Sequence, residues 1–164
     1  MDALQAKKCW RQFDLPVEPP ILGPMSSSSA TTTNLSSEVV TNGIRIRVTP
    51  QFIPETSDPV GGRYNFAYHV TISNDGSENV VLRKRHWTIV DGDGEVRNVD
   101  GDGVVGQQPT IAPGGRFEYH SFAPLLTHWG TMEGSFTFER TDHTAFDAQV
   151  ARFYLVGIEP KRRK

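Results

Sequence analysis

Arg85-His86-Trp87-Thr88-Ile89-Val90 runs into Asp91-Gly92-Asp93-Gly94, and after Glu95 to Asp100 the chain continues Gly101-Asp102-Gly103-Val104-Val105-Gly106, then Gln107-Gln108-Pro109 and, further on, Pro113-Gly114. Trp87 and Ile89 alternate with His86 and Thr88, the period of two that marks a half-buried strand. The Asp-Gly pairs then reverse the chain, because glycine takes the positive φ that tight hairpin turns need. Val96 and Val99 mark a short return strand. A strand packing a tryptophan, a turn and a glycine-rich loop thus form one unit, and the chain on either side repeats its alternation.

Working outward, Ile44, Ile46 and Val48 alternate with Arg45 and Arg47, and Pro50 is expected to end that strand. Tyr64, Phe66, Tyr68, Val70 and Ile72 share one face against Asn65, Ala67, His69, Thr71 and Ser73, and Asn74-Asp75-Gly76 turns the chain. From Asn79 to Val90 the parity is mixed, which predicts a bulge or a strand covered on both faces near its start. Downstream, Phe117 and Tyr119 share a face, as do Met132, Phe136 and Phe138 with Gly134 between them. A glycine there predicts close approach of another segment. Phe146, Val150 and Tyr154 read as one face of the last strand, with Phe153 and Leu155 shifted by a bulge near Ala151.

Seven or eight strands without a convincing helix predict an all-β fold, an immunoglobulin-like or fibronectin-III-like antiparallel sandwich. With one cysteine, Cys9, no intrachain disulfide can form, so Trp87 is expected to be buried against aliphatic and aromatic neighbours. Residues 38–159 form the expected domain. Residues 1–37 read as a disordered leader ending in a Ser/Thr-rich linker, with Trp10 and Phe13 as the anchors of an alternative docking peptide. Residues 160–164 are a basic tail.

The 164 residues carry a formal charge of −2, which gives no general attraction to nucleic acid or anionic membrane. No apolar run approaches the roughly 20 residues that span a bilayer. The expected compartment is cytoplasmic, with nucleus or organelle as alternatives.

Arg85-His86-Trp87, Gly101 to Gly106 with Gln108-Pro109, Pro113-Gly114 with Phe117 and Tyr119, and Gly130-Thr131-Met132-Glu133-Gly134 together resemble the ApaG domain, in order and spacing, from about Val39 to Glu159. The resemblance implies a fibronectin-III-like sandwich. In bacteria it implies a link to cobalt resistance, magnesium efflux and a neighbouring dinucleoside-tetraphosphate hydrolase. In eukaryotes it implies a module for protein contacts. It supplies no catalytic residues. Ser121-Phe122, Thr127-His128-Trp129 and Val150-Ala151-Arg152-Phe153 depart from the bacterial pattern, adding surface aromatics and a charge.

Candidate sites follow from residue type. Gly101, Gly103 and Gly106 spell a dinucleotide fingerprint, but no helix pattern follows, so they read as a structural loop or a backbone nest for an anion. Asp91, Asp93 and Asp102 are the weak candidates for a hard cation; Val96 stands where a calcium loop needs glycine. His86 is the histidine singled out, as a donor to a loop carbonyl. The basic run Arg83 to His86 suggests an acidic partner, with solvated strand faces as the plain alternative. Arg85, His86, Phe122, His128 and Trp129 are the candidate partner-binding residues, Trp129 foremost, because tryptophan and arginine dominate interface energetics. No set of residues supports enzyme chemistry, and no cofactor is expected. The leading expectation is a non-catalytic protein-interaction module whose partner the sequence does not name, a homodimer included. The alternative is a small-ligand or divalent-cation binding domain.

Overall fold

The computed structural model describes residues 35–159. Trp10 and Phe13, the leader up to residue 34 and the tail 160–164 lie outside them. Among the described residues the chain forms nine strands: β1 (Ser37–Thr41), β2 (Ile44–Phe52), β3 (Tyr64–Asn74), β4 (Val80–Asp91), β5 (Val96–Asp102), β6 (Thr110–Ile111), β7 (Arg116–Leu125), β8 (Trp129–Arg140) and β9 (Ala145–Val156). One 3-10 turn covers Pro54–Thr56. The strands build two antiparallel sheets, β1-β2-β3-β7 and β5-β4-β8-β9, with β6 pairing β4. The fold is the fibronectin-III-like sandwich that the alternation predicts.

Nine strands exceed the expected seven or eight. The extra strand at the start comes from Asn42-Gly43, both at positive φ, which folds β1 back on β2 as a tight hairpin. The two-residue β6 is too short for periodicity to reveal. Pro50 does not end β2, which continues to Phe52. Beyond Val48 the strand pairs only with β3, so a residue lacking an N–H is accommodated at that edge.

The inner faces of both sheets meet in one aromatic interior. Trp87 is 2% exposed, as its place in the alternation requires. Its indole meets Tyr68 from the first sheet at 5.6 Å, Phe136 at 5.6 Å and Phe153 at 5.9 Å, all edge-to-face. Ring edges thus meet ring faces, the arrangement the aromatic quadrupole favours. Phe66, Val70, Ile72, Phe138 and Leu155 complete the interior at 0% exposure. Burying each such side chain contributes about 1.5–3 kcal/mol.

The bulge expected near Ala151 is present, and of the two alternatives for the start of β4 the bulge is the one observed. The β4–β8 register shifts between Leu82 and Lys84, so Arg83 and Lys84 both turn outward. The β8–β9 register shifts between Met132 and Gly134, opposite Ala151 and Arg152. A side chain at Gly134 would collide with the His86 carbonyl, which is the close approach that glycine allows. The second bulge corrects one assignment. Tyr154 does not join Phe146 and Val150 inside; it is 47% exposed on the outer face, while Phe153 and Leu155 take the inner positions.

The sandwich is closed along one edge by hydrogen bonds from Ser37 Oγ to the Ala151 carbonyl (2.7 Å), from the Gln149 amide to Thr41 Oγ1 (3.2 Å) and from the Tyr154 amide to the Leu35 carbonyl (3.4 Å). Along the other, Arg97 of β5 reaches the Pro124 carbonyl of β7 at 3.1 Å.

Candidate functional site

The glycine-rich segment is stitched to the β4 bulge. Gly101 and Asp102 are not loop residues but the end of β5, paired with Arg85 and Lys84. The Gly103 amide donates to the Arg83 carbonyl at 2.7 Å, and the Leu82 amide donates to Pro109 at 3.0 Å. Val104 and Gln107 exchange amide hydrogen bonds at 2.8 and 2.9 Å around Val105 and Gly106, both at positive φ. The fully buried Val104 plugs this turn into the interior. Its amides at 103, 104 and 107 therefore already have backbone acceptors. A side chain at Gly103 would strike the Gln107 carbonyl.

The bulge at Arg83 decides where the basic run points. Arg83 stays outside, forks onto Glu139 through Nε (3.1 Å) and Nη2 (3.3 Å), and reaches Gln108 Oε1 at 3.1 Å. The Arg83 hydrogen bonds, and then His143, hold the Glu139 carboxyl below its usual range. Arg85 shares the parity of Trp87 and turns inward, where its guanidinium donates to the carbonyls of Gly103 (2.9 Å) and Asp102 (3.3 Å). It pins the glycine turn. His86 faces outward, and its Nδ1 lies 2.6 Å from Asp100 Oδ1, so its partner is a carboxylate and not a loop carbonyl. Open hollows of about 640 and 340 Å³ flank this strip, lined by acidic and basic residues alike.

Buried hydroxyls lie inside from the same place. Burial pushes the Tyr119 phenol well above its usual value and raises that of Tyr68, with the Arg85 charge opposing both shifts. The Tyr119 hydroxyl is buried without a hydrogen-bond partner.

At the acidic turn, Asp91 Oδ1 accepts the amides of Asp93 and Glu95, each at 3.0 Å. Asp91 thereby shapes the turn, Asp93 sits at its tip, and Asp102 faces outward at the far end of β5. Among the described residues, no group of three or more His, Cys, Asp or Glu is arranged to hold a metal ion.

The turn also carries Trp129. Thr127 Oγ1 accepts the Gly92 amide at 2.8 Å and donates to the Trp129 carbonyl at 2.7 Å. A Cβ on Gly92 would lie 2.8 Å from the indole nitrogen, so glycine lets the ring rest on the turn. Trp129 opens β8 and pairs with Val156 of β9, remaining 41% exposed. His128 instead meets Tyr64 edge-on at 6.4 Å. Phe122 is half-buried on the outer side of β7, opposite Ala67. The partner-binding candidates therefore divide: Trp129 is presented outward, Arg85 is turned in, and Phe122 belongs to the other sheet.

Sequence reasoning missed the neighbours of Trp129. Register aligns Val96, Val90, Thr131 and Tyr154 in one row across β5, β4, β8 and β9 of the second sheet, beside the Trp129–Val156 pair. Val96 is 60% exposed and Val156 45%. No local signal links these positions, because their adjacency exists only in the strand order.

Residues 54–140 match the family model of the ApaG domain. The chain is 50% identical over 115 residues to Protein ApaG of Methylobacterium sp. (strain 4-46), covering 70% of this chain and 88% of that protein. It is 49% identical over 120 residues to Protein ApaG of Anaeromyxobacter dehalogenans (strain 2CP-C), covering 73% and 94%. The crystal structure of the putative ApaA protein from Bordetella pertussis superposes with a TM-score of 0.68 at 43% identity, covering 73% of this chain and 95% of that one. Among the described residues no helix is long and apolar enough to cross a membrane. With the sandwich, the glycine turn and the Gly134 contact in place, the matched span and the identity establish that this chain belongs to the ApaG family.

Proposed function

We propose that the chain is a non-catalytic protein-interaction module that binds its partner on the outer face of the second sheet, at the Trp129 end. The observation that carries this reading is the outward-facing row from Val96 through the half-buried Val90 and Thr131 to Tyr154, continued by Trp129 and Val156, of which Val96, Trp129, Tyr154 and Val156 are exposed. Single exposed apolar residues are ordinary, whereas a contiguous patch leaves area for another molecule to cover. Aromatic residues contribute most at such contacts. The rim is polar: the Arg152–Glu133 ion pair at 3.0 Å on one side, the acidic turn on another. The partner this surface fits is a protein with aliphatic anchors flanked by basic residues. A cytoplasmic setting accords with a chain that has one cysteine.

The test is affinity capture from cell extract, read by mass spectrometry, with the intact chain beside Trp129→Ala and Tyr154→Ser. The expected result is one protein, this chain itself included, recovered with the intact chain and with Val40→Ser on the opposite sheet but lost with both patch variants, all four melting alike. Recovery indifferent to the patch, or no specific protein, overturns the reading.

A further inference from the structure

We propose that Asn42-Gly43 is a self-modification site: the Gly43 amide nitrogen attacks the Asn42 carboxamide, and the product is an isoaspartyl linkage at the turn between β1 and β2. The site stands apart from the proposed docking surface and does not rest on it.

Asn42-Gly43 is the one Asn-Gly pair in the chain. A following glycine leaves the attacking nitrogen unshielded by any side chain. Both residues take positive φ, 47° and 81°, with Thr41 and Ile44 paired across them, the two-residue turn that Asn-Gly favours. Asn42 is exposed. Among the described residues, no hydrogen bond holds its carboxamide, its carbonyl or the Gly43 amide. The peptide plane between the two residues therefore turns without giving up a partner.

The Asp-Gly pairs, which react by the same route, are held. The amides of Gly76, Gly92, Gly94 and Gly103 donate at 3.0, 2.8, 3.0 and 2.7 Å, and Gly101 lies within β5. Asn74 is 1% exposed, its carboxamide bound to the Glu78 and Ile111 carbonyls. Asn65, Asn79 and Asn98 precede Phe or Val, whose side chains crowd the nitrogen.

The reaction needs only base and water. As the Gly43 N–H gives up its proton, the nitrogen bonds to Asn42 Cγ, the Cγ–Nδ2 bond breaks, and ammonia leaves with one proton. One water then opens the five-membered imide: attack at Cγ gives aspartate, attack at the main-chain carbonyl gives isoaspartate. The second product carries the main chain through Cβ and Cγ, which lengthens a turn of fixed size and adds a negative charge. Asp75 already packs there, its amide donating to the Gly43 carbonyl at 2.8 Å. β1 is held to β9 through Ser37 and Thr41, so a turn that no longer aligns Thr41 with Ile44 loosens that closed edge of the sandwich.

The experiment is incubation of the full chain at mildly alkaline pH and body temperature, beside Asn42→Gly, which keeps a residue suited to positive φ. Peptide mass spectrometry with electron-transfer fragmentation locates the product, and an isoaspartyl methyltransferase with S-adenosylmethionine counts it. The expected result is a gain of about 1 Da at Asn42, where an amide becomes a carboxylate, with Asn65, Asn79 and Asn98 unchanged. Isoaspartate is the larger product, methyl incorporation falls severalfold in Asn42→Gly, and amide exchange at Val39 and Val40 quickens only in the aged parent. No gain at Asn42 after a free peptide spanning residues 40–44 has reacted fully, a gain led by another asparagine, or equal methylation of Asn42→Gly, which places the isoaspartate at an Asp-Gly pair, overturns the site. Modification without quicker exchange overturns the loosening of β1.

Discussion

Trp87 and Trp129 belong to the same sheet, yet one is 2% and the other 41% exposed. Trp87 lies on the inner face of β4 with ring edges or faces of Tyr68, Phe136 and Phe153 around it. Trp129 lies at the start of β8 on the outer side, resting on a glycine turn with no ring within stacking range among the described residues. The two positions separate the tasks of the fold. Side chains around Trp87 hold the sheets together, so replacing any of them opens a void. Side chains around Trp129 hold little in place, so under the proposed function their apolar area is what a partner would cover.

The sharpest break between the regions is Trp87→Ala, expected to destabilise by about 3–5 kcal/mol, since a large buried ring leaves a cavity its neighbours only partly fill. Urea unfolding measures this; a loss no greater than that of Trp129→Ala would erase the distinction. Next comes Gly134→Ala, expected to cost about 1–3 kcal/mol, because the added methyl meets the backbone carbonyl of His86, which cannot rotate away. Arg85→Ala is expected to cost a similar or smaller amount, about 1–3 kcal/mol, by stranding the carbonyls of Asp102 and Gly103. Faster amide exchange at Gly103 to Gln107, with Trp87 still protected from quenching, would confirm that its action is local to the turn.

Tyr119→Phe is expected to leave stability at neutral pH within about 1 kcal/mol, because its hydroxyl has no partner to lose. The variant should alter the alkaline limb instead. Burial raises the Tyr119 pKa in the folded state, so the neutral form persists there after the unfolded chain begins to ionise near 10. Stability is therefore full below that pH and falls as pH rises beyond it. Melting curves from neutral to alkaline pH should show a flatter decline for Tyr119→Phe than for the parent. Smallest of all is Trp129→Ala, expected to shift stability by less than about 1 kcal/mol while abolishing capture of the partner.

Strand faces were legible because alternation is local. The faces of β3 and β8 follow from one residue to the next, and the parity change in β9 marked its bulge, whereas that in β4 left a bulge and a doubly covered strand as alternatives. Three features were not legible. The direction of Arg85 depends on whether the bulge falls at Arg83 or one residue later, which composition does not mark. The exposure of Tyr154 depends in the same way on the second bulge. The juxtapositions of Trp129 with Tyr154 and of His69 with His120 depend on pairings between β8 and β9 and between β3 and β7. Outward parity was correct for His69 and His120 separately, but β3 and β7 are distant in the chain, and only the crossover makes them neighbours. The fold rests on short-range periodicity, and the candidate sites rest on strand order.

Acrylamide quenching of single-tryptophan proteins tests the division most directly. With Trp10 and Trp129 changed to Phe, the remaining Trp87 should emit in the blue and resist quenching until the protein unfolds. With Trp10 and Trp87 changed to Phe, and folding verified by circular dichroism, Trp129 should be readily quenched and become protected when partner is added. Ready quenching of native Trp87, or quenching of Trp129 that the partner leaves unaltered, would contradict the separation of a stabilising interior from a recognising surface.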